Sequence, residues 1–274
     1  MKYFLFLILF CAYFSSLGQY KLLLIEGGDY PKGAEIQLSD LEAAEFAIAL
    51  DSEGNLLEWS NSTDIQPLKV PVEVLKLADF ETWLSKWLNP YFGMSPSTIQ
   101  YLKSDSMAAL LETPAMEMPM PSSSQLYSSI VGLTWTPDDS VRSWEVEFRN
   151  QYDETVGVET VEENKLKLVL DNGEKVSVYV RNPRTMEGSG VFVLNGMTSP
   201  AKEKYEGGVR QIIQASGEAS IASYLLKAAY FESKGLYVDA LSEYVLLAIS
   251  YPDEDFAEDL LRWYIFRHAF RPWF

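Results

Sequence analysis

Cysteine and histidine are almost absent: the 274 residues hold one of each, Cys11 and His268. With Cys11 inside an apolar leader, the remaining chain has no disulfide framework, no thiol nucleophile and no thiolate metal site. No Gly-x-Ser-x-Gly elbow accompanies the single histidine, so a serine triad has no local signature. His268, beside Arg267, reads as a helix-end residue. A P-loop is also missing. Gly188-Ser189-Gly190 matches only the first half of a dinucleotide fingerprint and lies between strands, so it reads as a turn. Basic residues are outnumbered 22 to 39, which counts against nucleic acid and anionic lipid as partners. The one long apolar run, Tyr3 to Phe14, is shorter than the roughly 20 residues of a membrane span.

That run reads as the core of a secretory leader over residues 1–18. Lys2 supplies its positive end, and Ser16-Leu17-Gly18 supplies small residues before a cut ahead of Gln19. Phe10 stands before Cys11, where a lipoprotein signal wants a small residue, so a soluble exported chain is expected, in the periplasm or at the cell surface. Without Lys2 the balance is 21 basic against 39 acidic residues, a net charge of −18. About 256 remaining residues suffice for two or three small cores.

The expected fold is a multi-module α+β chain. Residues 19–80 read as a small all-β unit, with strands at Lys21 to Ile25, Glu35 to Leu38, Glu45 to Leu50 and Leu56 to Trp59. Val70 to Leu75 adds an edge strand limited by Pro71. Asp51 to Asn55 reads as a hairpin turn rather than a calcium loop, because Ser62 stands where the loop's twelfth, acidic ligand belongs. Residues 81–111 form a helical segment. Its first helix starts at Asp79 and carries Phe80, Trp83, Leu84 and Trp87 on one face; Ser97 to Leu111 is a second, weaker helix. Aromatic rings at Trp83, Trp87, Tyr91 and Phe92 are a sugar-stacking set in principle, but helical spacing makes the two tryptophans core.

Residues 112–125 read as a Pro/Met/Ser linker, extended and mobile. Met116, Met118 and Met120 alternate within it as soft thioethers do in Cu(I) sites, yet no His or Cys supports them, so no metal or cofactor is expected. Residues 126–196 read as a β-sandwich of immunoglobulin or fibronectin type, with six strands from Ile130 to Leu194. Trp144, Val146 and Phe148 alternate there with Glu145, Glu147 and Arg149, and Asn172-Gly173 marks a tight turn. Residues 197–274 read as an α-helical hairpin bundle: a helix from Pro200 to Ala215, the pair Ile221 to Pro252, and a last helix burying Phe256, Leu260, Trp263 and Tyr264.

Within the pair, Ala228, Phe231, Gly235, Tyr237, Ala240, Tyr244 and Pro252 stand at the spacing of a tetratricopeptide repeat, which this stretch resembles, with Leu247 departing from it. Pro31 to Ile36, Gly54 to Glu58, Leu133-Thr134-Trp135, Trp144-Glu145-Val146 and Leu225 to Arg267 together resemble exported Bacteroidetes-type proteins. Those proteins join a FecR-like β segment, a fibronectin-like sandwich and a repeat-like hairpin. The resemblance implies no activity and no catalytic residue. Acidic clusters (Asp138-Asp139, Glu162-Glu163, Asp253 to Asp255) read as solvated turns and helix starts.

The expected function is a non-catalytic adaptor for a protein or peptide partner in the cell envelope. The alternative is a carboxylate-dependent hydrolase of envelope polymers, which needs two carboxylates about 5–9 Å apart in a cleft. A groove lined by Tyr230, Tyr237 and Trp263 is the expected partner site. Ala240→Trp should destabilise the helical unit, whereas Glu232, placed on a solvated face, should tolerate alanine.

Overall fold

The computed structural model describes residues 20–26, 34–37, 46–60, 68–89, 118–135, 141–186, 188–252 and 255–268. Among them the chain is a mixed α+β protein with twelve strands in three sheets and six helices. The first sheet is formed by β1 (Tyr20–Glu26), β2 (Glu35–Ile36), β3 (Phe46–Leu50), β4 (Leu56–Ser60) and β5 (Leu68–Val70), in the order β2-β1-β3-β4-β5. Every pairing in it is antiparallel. The β3–β4 turn is closed by the Asp51 carboxylate, which accepts the amides of Glu53 and Asn55 at 2.9 Å. This is the hairpin turn read from the sequence.

Residues 70–75 do not continue as an edge strand. β5 stops at Val70 and Val72–Leu77 is a helix, α1. Pro71 has no N–H to give a ladder, but ahead of a helix none is needed, and its fixed φ suits that position. Helix α2 (Phe80–Leu88) follows, with Phe80, Trp83, Leu84 and Trp87 buried. Asp79 precedes it in the left-handed region, at φ 53°, and accepts the Thr82 hydroxyl at 2.8 Å instead of a main-chain amide. Ser97 to Leu111, Tyr91 and Phe92 lie outside the described residues.

Seven further strands are β6 (Ser123–Leu126), β7 (Ile130–Thr134), β8 (Trp144–Arg149), β9 (Thr155–Val161), β10 (Lys165–Val169), β11 (Lys175–Arg181) and β12 (Phe192–Gly196). A five-stranded sheet runs β6-β12-β11-β8-β9, and among the described residues β7 pairs only with β10. The two sheets meet where the rings of Trp135 and Trp144 make an edge contact at 6.2 Å. β6 corrects the expected linker: it begins inside residues 112–125, at Ser123, and pairs parallel to β12. Met118 and Met120 are buried in the core just before it, so from Met118 onwards this segment is packed. The physical reason is alternation, since Ser124 and Leu126 face inwards while Ser123 and Gln125 face solvent. Met116 lies outside the described residues.

The C-terminal helices are α3 (Ser199–Ser216), α4 (Ile221–Ser233), α5 (Tyr237–Ser250) and α6 (Asp255–His268). Ser220 begins α4 by accepting the Ser223 amide at 3.0 Å, as an N-cap does. Ala228 of α4 and Ala240 and Ala248 of α5 are buried, and such small residues let neighbouring helices approach closely.

Among the described residues nothing in the packing keeps these parts separate. One continuous cluster of buried apolar side chains runs from Leu23 of β1 to Tyr264 of α6. Phe46 of β3 stacks on Phe256 of α6 at 5.3 Å. The Trp83 indole of α2 donates to the Tyr244 hydroxyl of α5 at 2.5 Å. Glu58 of β4 accepts the Ala222 amide at 2.7 Å in the first turn of α4, a helix end that attracts negative charge. Burial pushes its carboxyl pKa up, against the opposing pull of the Ala222 and Ile221 amides.

Helix α5 also covers the edge of β7 away from β10. The Gly132 amide of β7 donates to the Ser242 hydroxyl at 2.7 Å, so a helix takes the place of a third strand there. Among the described residues no helix is long and apolar enough to cross a membrane.

Candidate functional site

A groove of about 410 Å³ opens between β6, the start of α3 and the α4–α5 turn. Ser123, Ser124 and Gln125 line one side of it, with Tyr205, Leu236 and Tyr237 among the residues opposite. Among the described residues Lys204 is the one charged side chain of the lining, its Nζ 4.5 Å from the centre of the Tyr205 ring. The surface is therefore polar main chain on one side and aromatic on the other.

The register of β6 decides which main-chain groups face the groove. Val193 donates to the Ser122 carbonyl and Met197 to the Leu126 carbonyl, both at 2.8 Å. In a parallel pair alternate residues turn their N–H and C=O groups to the neighbour. Ser122, Ser124 and Leu126 therefore serve β12, while Ser123 and Gln125 turn theirs to the other side. The next residue of that parity, Tyr127, gives its amide to Asp239 at 3.1 Å, and Ser128 gives its own to the same carboxylate at 2.8 Å. Asp239 of α5 thus closes the far end of the open strand edge.

Asp239 is fully buried. Burial pushes its carboxyl up to about 6, against the lowering pull of the Ser128 and Tyr127 amides. A folded-state value above the ordinary 3.8 means that the folded protein holds this proton more tightly than the unfolded chain. The Asp239 contribution to stability therefore falls as pH rises from about 4 to about 6. One turn further, Glu243 pairs with Lys227 at 2.8 Å, so a polar stripe of α5 is buried against β7 and α4.

Of the three residues expected to line a common groove, only Tyr237 does. Tyr230, 3% exposed, packs against α3, and its hydroxyl donates to the Tyr205 carbonyl at 3.3 Å. Trp263, 7% exposed, meets Trp87 at 5.2 Å and Trp83 at 6.0 Å, edge to face. The helical face expected to stay open is filled by α2, whose tryptophans come from the N-terminal half of the chain. Sequence reading missed Ser123, Gln125, Tyr205 and Asp239. Asp239 and Ser242 stand three apart like a solvated stripe, and only the approach of β7 buries them.

The packing of Tyr230 explains one oddity of α3, its paired glycines. A Cβ on Gly208 would fall 2.5 Å from the Tyr230 hydroxyl, whereas one on Gly207 would meet nothing within 4 Å. Gly207→Ala is therefore expected to stabilise the protein by about 0.5–1 kcal/mol through helix propensity. Gly208→Ala is expected to cost about 1–2 kcal/mol by displacing a buried ring. Paired thermal melts of the two variants check this, and equal shifts would contradict the packing described.

Glu232 is likewise not on a solvated face. It is buried, forms an ion pair with Lys86 of α2, and lies 3.6 Å from Nε2 of His268 at the end of α6. His268 is a helix-end residue as read, but a buried one, with its ring 4.3 Å from that of Tyr264.

No protein-family model and no curated protein sequence matches the chain. Among solved structures, the crystal structure of the adhesin domain of Epf from Streptococcus pyogenes is similar to part of it, at 20% identity and a TM-score of 0.24. That match covers 32% of this chain and 34% of the other, a span too short and a superposition too loose to carry an argument.

Proposed function

We propose that the chain is a non-catalytic exported adaptor that holds an extended segment of a protein partner in the cell envelope, laid along β6. The observation that carries this reading is the outward-turned main chain of Ser123 and Gln125 inside a groove. A bound strand finds hydrogen-bonding partners there on one side and the rings of Tyr205 and Tyr237 on the other, as in strand-addition recognition. Among the described residues the charged lining consists of Lys204, which suits holding a chain better than cutting one with paired carboxylates. On this reading the two sheets from β6 to β12 are a fibronectin-like sandwich, α4 and α5 a tetratricopeptide-like hairpin, and residues 1–18 a cleaved leader ahead of Gln19.

Proline at position 125 tests the reading. It removes the Gln125 N–H, which does not serve β12, and an outward-facing edge position tolerates proline. Linear peptides selected by display against the wild-type chain are expected to lose affinity for Gln125→Pro by about tenfold or more, with the melting temperature little changed. Selected peptides that bind the variant as tightly as the wild type would defeat the proposal.

A further inference from the structure

The five-stranded sheet has a second edge, at β9, on the side opposite the groove. With four strand spacings between them, the two edges lie roughly 19 Å apart. Along β9, Val156 is 61% exposed and Val158 51% exposed, and most of the strand's other residues are exposed as well. Among the described residues, β8 is its only strand partner.

Exposed edges are usually blunted by lysine, proline, a bulge or a covering segment. β9 has neither lysine nor proline. Its register irregularity falls at the Arg149 and Phe148 pairings, which leaves Gly157 to Val161 regular. Val156 is the unpaired residue of that bulge, and Val158 stands on the regular stretch, which is left as a template for another strand.

We propose that the outer edge of β9 is a second docking strand, taking an extended basic segment of a protein partner by strand addition. The charge pattern selects the occupant. Asp153, Glu154, Glu159, Glu162 and Glu163 fall within eleven residues that contain no lysine or arginine. Arg149 reaches Asp153 at 3.1 Å, and Lys165 comes only to 3.9 Å from Glu163, while Glu154, Glu159 and Glu162 are exposed.

A second copy of this chain is the poorer occupant. In an antiparallel pairing centred on Val158, the acidic ends of the two copies, Asp153 and Glu154 of one and Glu162 and Glu163 of the other, would be brought together. Because the segment has no base, other registers also bring acid towards acid, and like charges directly opposite destabilise a strand pair. A strand alternating lysine or arginine with β-branched residues meets both features: its cations face the carboxylates and its apolar side chains cover Val158.

The test uses the full chain and a dye-labelled synthetic peptide of alternating lysine and valine, followed by fluorescence anisotropy at low salt. Saturable binding is expected, weakened by about tenfold or more in the double variant Glu154→Lys/Glu159→Lys. A second probe, the same peptide N-methylated at alternate residues, keeps its charge but loses main-chain donors, and it is expected to bind at least about tenfold more weakly. Gln125→Pro is expected to leave the affinity unchanged, which separates this edge from the β6 groove.

Equal binding of the N-methylated probe would reduce the effect to charge attraction and overturn strand addition. Loss of binding in Gln125→Pro would place the peptide in the groove instead. Unchanged affinity in the double variant, or dimerisation of the chain through β9 seen by sedimentation, would overturn the choice of a basic partner.

Discussion

Gly132→Ala is expected to lower the melting temperature by roughly 5–10 °C, a loss of about 3 kcal/mol for a protein of this size. Gly132 lies where β7 and α5 come closest. A Cβ there would fall 2.7 Å from the Val245 Cβ and 2.8 Å from the Ser242 carbonyl oxygen. Neither atom can swing aside as the tip of a side chain would, so strand and helix must part. Parting them also stretches the bond from the Gly132 amide to the Ser242 hydroxyl.

Double-mutant arithmetic gives a sharper check. Ser242→Ala alone leaves a buried amide without its acceptor and costs about 1–3 kcal/mol. Combined with Gly132→Ala it should cost less than the sum, since the first change has already broken that bond. Strict additivity in denaturant melts would mean that strand and helix do not approach as described.

Glu232→Ala is the second large effect, on the order of 3–5 kcal/mol, because removing one partner of a buried pair strands the other charge. Lys86 would remain under α4 with 19% of its side chain exposed, and the carboxylate 3.6 Å from His268 Nε2 would be gone. Burial alone pushes the Glu232 carboxyl up, but His268 and Lys86 outweigh it and hold the pKa at about 2. The folded-state value therefore lies below the ordinary 4.5. The stability that Glu232 contributes, on the order of 3 kcal/mol, is complete above pH 4.5 and is lost as pH falls towards 2. Asp239 acts with the opposite sign between about pH 4 and 6. In urea melts, Glu232→Gln should be less stable than wild type at pH 6 and close the gap near pH 2. A constant gap across that range would show that the carboxylate is not held by its cations.

How far the sequence could be read depended on whether a partner lay nearby. Helices α4 and α5 follow from small and aromatic residues at fixed spacing, and β8 from the alternation of Trp144, Val146 and Phe148 with charges. Those signals are local. Glu232 could not be read the same way, since its cation stands 146 residues earlier and a lone carboxylate on a helix looks solvated. β6 was hidden for a related reason. Ser122 to Gln125 has little intrinsic preference for a strand, and the strand exists because β12 supplies its ladder and Met118 and Met120 anchor its approach. The groove inherits both difficulties. Tyr237 was visible as an aromatic at a helix start, but the wall opposite it is main chain, and main chain leaves no mark in a sequence.

The bond between Trp83 and Tyr244 spans 161 positions, and this has a consequence for how the chain comes to be folded. Closing so long a loop costs entropy before any contact across it gives a return, so contacts of this range slow folding. The tryptophans of α2 have no cover until α5 and α6 have been made, and the first sheet waits for Phe256 in the same way. A nascent chain would therefore stay open until α6 had been made. A chain truncated before Asp255 is expected to expose Trp83, Trp87 and Phe46 together and to aggregate instead of yielding a smaller folded domain.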